Sequence, residues 1–132
     1  MKSILLDTSA YSALLAGDSQ VFDVVTGAQI VYLSVFVLGE LHAGFRGGRK
    51  ERDNRERLAA FMDKPTVKIL LGTPDTAEIF GKIKDRLRKA GTPIPINDVW
   101  IAAHAIQSGT QVITFDEHFK KVSGLWLWER SG

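Results

Sequence analysis

The chain predicts an α/β fold, a parallel sheet of about five strands covered by helices on both faces. Three observations predict it. Short runs of β-branched and other apolar residues recur along the sequence. Each is followed by a segment with helical spacing, and helix-starting and helix-stopping residues stand at the joints. Strands that alternate with helices in this way build βαβ units, whose strands run parallel and are buried from both sides.

The elements follow in order. "SILLD" is an apolar run ending in Asp7, and Thr8 and Ser9 then begin a helix near Ala10. "QIVYLS" is the second strand, and Ser34 caps a helix through "VFVLGELHAGF" that ends near Gly47, with Glu40 in its middle. Arg49 to Met62 reads as a solvated helix with Leu58, Phe61 and Met62 on its inner face, stopped by Pro65. "TVKILLG" is the third strand. Pro74 opens a long amphipathic helix through Ile79, Ile83 and Leu87 to Gly91. After the loop "GTPIP", Asn97 or Asp98 caps a nearly all-apolar helix to Ser108, and Gly109 ends it. "QVITF" is strand four, and "LWLWE" supplies a short last strand.

A chain of 132 residues suits one domain, spanning 1–132, and can bury a sizeable core. Apolar residues make up 45% and charged residues 24%, which argues against disorder and against a membrane-spanning chain. The N-terminus "MKSILLDTSAYSALLAG" faintly resembles a signal peptide, but Asp7 interrupts the apolar run, so it reads as folded, mature sequence. Without cysteine there are no disulfides and no Cys-type zinc sites, which fits a cytoplasmic protein. Net charge is only +2, yet Lys and Arg cluster in "RGGRKERDNRER" and "KIKDRLRKAG", so a polyanionic partner is permitted. The three histidines show no paired zinc spacing and read as surface or site-edge residues; apolar neighbours make core packing the expectation for Trp100, Trp126 and Trp128.

Acidic residues carry the functional signal. In open α/β sheets ligands gather beyond the carboxyl ends of the strands. Asp7 follows strand one and Asp116 follows strand four, so both project to that edge. Asp98 stands at the start of the helix feeding strand four, and a helix running straight back along its strand would place it at the opposite edge. Glu40 lies among Leu38, Leu41 and Phe45, where an unpaired carboxylate is costly and a metal ion would compensate it. A helix cap explains Asp7 or Asp98 singly, and a turn explains Asp116. Neither explains Glu40.

"ILLDTSAY", "VLGEL" with Gly44 shortly after, "NDVWIAAHAI" and "VITFDEHF" resemble, in order, the four acidic motifs of PIN-domain ribonucleases, and most of all the small VapC-type toxins of type II toxin–antitoxin pairs. The resemblance spans nearly the whole chain. It implies a single PIN-like domain in which Asp7, Glu40, Asp98 and Asp116 form one catalytic and metal-binding cluster, with Asp116 the least uniform in role, and with Thr8, Ser9 and Thr114 close by as positioning groups. It further implies Mg²⁺ or Mn²⁺ as cofactor, RNA as substrate, a 5′-phosphate product, a cognate antitoxin and a homodimer, with no membrane partner. Hard divalent cations suit carboxylate oxygens and can activate a water for attack on phosphorus, so the residue types match the chemistry. Arg46 and Arg49, following the Glu40 helix, are the RNA-binding candidates. A haloacid-dehalogenase-like phosphatase needs a second acid two residues after the first, where this chain has Ser9. A phospho-accepting receiver domain needs an acidic pair and a late lysine, and neither is evident. The rival reading is a catalytically silent module of the same fold that binds nucleic acid or protein.

Overall fold

A computed structural model describes residues 2–131; Met1 and Gly132, the ends of the expected domain, lie outside the described residues. Five strands, β1 (Ser3–Leu6), β2 (Ile30–Ser34), β3 (Val67–Leu70), β4 (Gln111–Ile113) and β5 (Trp126–Leu127), form one sheet in the order β3-β2-β1-β4-β5. All four pairings are parallel. The β1–β2 and β2–β3 crossovers step one way, and the β3–β4 crossover jumps back past β1. Because such crossovers are right-handed, the reversal puts helices on opposite faces. The burial of consecutive residues agrees: Ile4, Leu5 and Leu6 of β1 and Val112 and Ile113 of β4 are all fully buried.

The reversal also makes a crevice between the carboxyl ends of β1 and β4, where ligands collect in folds of this class. Leu6 pairs with Ile113, and the Asp7 N–H extends that ladder by donating to the Ile113 carbonyl at 3.2 Å. Asp7 is thereby fixed at the crevice mouth by backbone alone.

The helices lie close to the sequence-predicted positions. They are α1 (Thr8–Leu15), α2 (Ser19–Thr26), α3 (Val35–Phe45), α4 (Glu51–Met62), α5 (Pro74–Ala90) and α6 (Ile96–Ser108). The unexpected one is α2, opened by Asp18, whose carboxylate accepts from the Gln20 and Val21 N–H groups. Gly17, at φ +89°, turns the chain between α1 and α2. Pro74 at the start of α5 and the left-handed Gly91 at its end behave as expected.

The α5–α6 pair corrects two expectations about Asp98. Thr76 and Thr73, at the start of α5, bond Gln107 at the end of α6, so the two helices form an antiparallel hairpin. Only Gly109 and Thr110 separate α6 from β4, so α6 must finish at the edge where β4 starts, and it therefore begins at the carboxyl edge. Asp98 belongs at the crevice, not opposite it. Nor is it a cap. Pro95 is the residue before the helix, no side chain caps it, and Asp98 stands inside the first turn.

Two aromatic and histidine expectations also change. Trp100 stacks between Phe80 at 3.9 Å and Phe36 at 5.1 Å, as packing predicts, but Trp126 is 51% exposed because β5 is a two-residue edge strand. His104 is only 1% exposed, not a surface residue, and burial lowers its pKa. Its Nδ1 lies 2.8 Å from Ser34 Oγ, which also accepts the Phe36 N–H at 3.1 Å to cap α3. Ser34→Ala removes a cap and strands a buried ring nitrogen, so it should cost about 1–3 kcal/mol in a urea titration. A loss below about 0.5 kcal/mol, the scale of an ordinary surface change, would contradict that dual role.

Candidate active site

Asp7 is the hub of the crevice. It is 4% exposed, and its two oxygens are used separately. Oδ1 accepts the Ala10 N–H at 2.9 Å, capping α1, and the Ser9 hydroxyl at 2.7 Å; Oδ2 accepts the Thr114 hydroxyl at 2.5 Å. Both hydroxyls reach further. Ser9 Oγ accepts the Phe115 N–H at 3.1 Å, and Thr114 Oγ1 accepts the Asp116 N–H at 2.9 Å. The Asp7 carboxylate thus anchors, through two hydroxyl relays, the loop after β4 that carries Asp116. It is both a cap and a site residue.

Glu40 arrives from the middle of α3, where its Oε1 accepts the Thr8 hydroxyl at 2.6 Å across 32 residues of sequence. Asp116 caps a short 3₁₀ helix (Glu117–Lys121), accepting the His118 N–H at 2.9 Å, so the turn expected there is present too. The same turn brings in a residue that the sequence reading did not assign to the cluster. His118 Nδ1 lies 2.9 Å from Asp116 Oδ1 and 3.2 Å from Asp98 Oδ2. The spacing of His118 two residues after Asp116 in "DEHF" was its only local signal. Asp98, Asp116 and His118 each offer one ligand atom, all within 4.8 Å of one another.

Electrostatics tie the four acids together. Burial is the main cause that raises the Asp7 carboxyl above the usual range, opposed by the Thr114, Ser9 and Ala10 hydrogen bonds, and the Asp116 charge raises it further. Asp98, 8% exposed, is pushed up to about 6, first by burial, then by the Asp116 charge, with Glu40 adding to it and His118 opposing. Among the described residues no lysine or arginine ion-pairs with any of the four. Carboxylates gathered in this way, two of them buried and none paired with a lysine or arginine, fit a hard divalent cation, which prefers such oxygens.

Arg46 and Arg49 are not part of this cluster. Arg46 ends α3, and Arg49 lies in the link to α4; both are exposed. Arg49 lines a cleft of about 730 Å³ with His42, Arg52 and Arg55, floored by Leu58 and Met62. No helix of the described residues is long and apolar enough to cross a membrane.

The PIN domain family model matches residues 4–125. Ribonuclease VapC5 of Mycobacterium tuberculosis is 29% identical over 120 residues, covering 91% of this chain and 87% of that protein. Ribonuclease VapC2 of Rickettsia felis is 27% identical over 103 residues, 76% of this chain and 75% of its own length. In fold, a chain of the Rickettsia felis VapBC2 crystal structure, bound to a promoter DNA fragment, superposes with a TM-score of 0.84 at 23% identity, covering 96% of this chain and 99% of that one.

Proposed function

Since this chain belongs to the PIN-domain family, we propose that it is an endoribonuclease, the toxin of a type II toxin–antitoxin pair, that works with Mg²⁺ or Mn²⁺ at Asp7, Glu40, Asp98 and Asp116. Its relatives are named VapC ribonucleases, and chains of its fold occur in VapBC complexes, which supports both the activity and an antitoxin as partner. The observation that carries the metal reading is four acids gathered about one crevice with no lysine or arginine paired to them, Asp98 being pushed up to about 6 first by burial and then by the Asp116 charge.

An RNA phosphate is an anion, and an uncompensated acidic cluster would repel it. A divalent cation held by Asp7, Glu40, Asp98 and Asp116 would supply the missing charge, a more acidic water and stabilisation of the departing oxygen. The chain's own residues do the rest. Asp7 is held rigid by Ser9, Ala10 and Thr114, and Glu40 is oriented by Thr8, so both present fixed oxygens towards the crevice. Arg46 and Arg49 are exposed enough to neutralise phosphates of an RNA strand approaching past α3.

Chelation tests this directly. RNA cleavage by the purified protein should vanish in EDTA and return with Mg²⁺ or Mn²⁺, whereas Ca²⁺, with longer and looser coordination, should support little turnover. Full activity in excess EDTA would remove the metal from the mechanism.

A further inference from the structure

The acidic quartet accounts for a hard oxygen-liganded cation, but not for the imidazole set between two of its members. We infer that His118 is a nitrogen ligand of the same centre and biases it towards first-row transition-metal ions such as Mn²⁺ and Co²⁺ over Mg²⁺; this rests on the metal reading above.

Geometry is the first support. Adjacent ligand atoms of an octahedral ion at about 2.0–2.1 Å are about 3 Å apart. Nδ1 of His118 stands 2.9 Å from Asp116 Oδ1 and 3.2 Å from Asp98 Oδ2, close to that edge length on both sides. Positioning is the second. The His118 N–H is fixed on Asp116 Oδ1, and the Asp116 N–H is fixed on Thr114, which is fixed on Asp7, so the ring is carried by the same chain of bonds that builds the acidic site. Exclusion is the third, because the other two histidines are committed elsewhere. His104 is buried against Ser34, and His42 is exposed on α3, with its ring edge-on to Phe45 at 5.8 Å. Chemistry supplies the bias. Mg²⁺ takes oxygen ligands and gains little from imidazole, whereas the affinity of a mixed nitrogen and oxygen site rises from Mn²⁺ through Co²⁺.

A hydrogen-bonded histidine that merely steadies the two acids would show similar separations, so the test must see the nitrogen. Pulsed electron paramagnetic resonance of Mn²⁺ bound to the wild-type protein should show ¹⁴N modulation, replaced by a ¹⁵N pattern when histidine is isotopically labelled. This readout needs no variant. In parallel, dissociation constants for Mg²⁺, Mn²⁺ and Co²⁺ are measured by titration on wild type and on His118→Ala. The substitution should abolish the modulation and weaken Mn²⁺ and Co²⁺ about tenfold, the low end of what support of a metal ligand is worth, while Mg²⁺ changes less than about twofold. Mn²⁺ bound without nitrogen modulation, or equal losses for all three ions, would overturn the ligand assignment and leave the acidic metal site standing. Failure of the wild type to bind any of the three would overturn both.

Discussion

Asp98→Asn should lower RNA cleavage by about 10²–10³-fold, the scale seen when one preorganised electrostatic group is removed from a site, and should relieve the growth arrest expected when the wild type is expressed in a bacterial host. The exchange keeps size and shape while deleting one negative charge. Asp98 is the most informative position because its alternative explanation has been removed: it caps nothing, and its contact is with His118 at the crevice rather than with the start of its own helix. The substitution therefore separates charge from scaffold. Ser34→Ala is the matched control, since it weakens the fold at α3 without touching an acid. If loss of stability alone explained loss of toxicity, the control should be the less toxic of the two. A variant of Asp98 that cleaves RNA and arrests growth like the wild type would reject its role.

Much of this arrangement is legible in the sequence, and what is not has physical causes. Alternating apolar runs and caps gave the element order, because periodicity and capping are local and written in neighbouring residues. α2 escaped because eight residues make only about two turns, too short a run to set a helical period apart from its surroundings, although its faces are clearly segregated and Asp18 after Gly17 is an ordinary stop-and-start signal. The edge on which Asp98 falls was misjudged through the direction of the helix: α6 runs antiparallel to β4, to which only Gly109 and Thr110 link it, so its first turn lies at the carboxyl edge, and the α5–α6 contacts of Thr73, Thr76 and Gln107 agree with that direction. His118 was harder still. Its partners are Asp116, two residues away, and Asp98, 20 residues away, and only the 3₁₀ turn makes them neighbours. The relays that fix Asp7 span 107 residues to Thr114 and 106 to the Phe115 N–H. No local pattern encodes such a contact, so the sequence reading reached Ser9 and Thr114 only through family resemblance.

The folded protein without metal should lose stability as pH rises from 4 to 7, to the extent that Asp98 controls it, and Asp98→Asn should flatten that slope. The sign follows from proton linkage. Asp98 has an ordinary carboxyl pKa when unfolded and about 6 when folded, so between those values the native state binds more protons than the unfolded chain. Its contribution is fully present below the unfolded pKa and is lost as pH passes through about 6. The difference is worth on the order of 2 kcal/mol, and Asp7, also raised, acts in the same direction. Other acids oppose the trend. Asp18, held down first by the Val21 N–H and then by Arg130, and Asp85, held down by Lys89, contribute stability that is lost on going to low pH. The absolute slope therefore mixes signs, and the quantity to measure is the difference between wild type and variant in EDTA, where those terms cancel. Urea titrations at pH 4.5, 6 and 7.5 would give it. Adding Mg²⁺ at pH 7.5 should reverse the order: the wild type gains about 2.7 kcal/mol at a hundredfold excess over its dissociation constant, while the variant, with one carboxylate fewer, gains much less. Parallel pH slopes and equal Mg²⁺ stabilisation in both proteins would mean that Asp98 neither feels its acidic neighbours nor shares an ion with them, and the crevice would then be a capped turn rather than a metal centre.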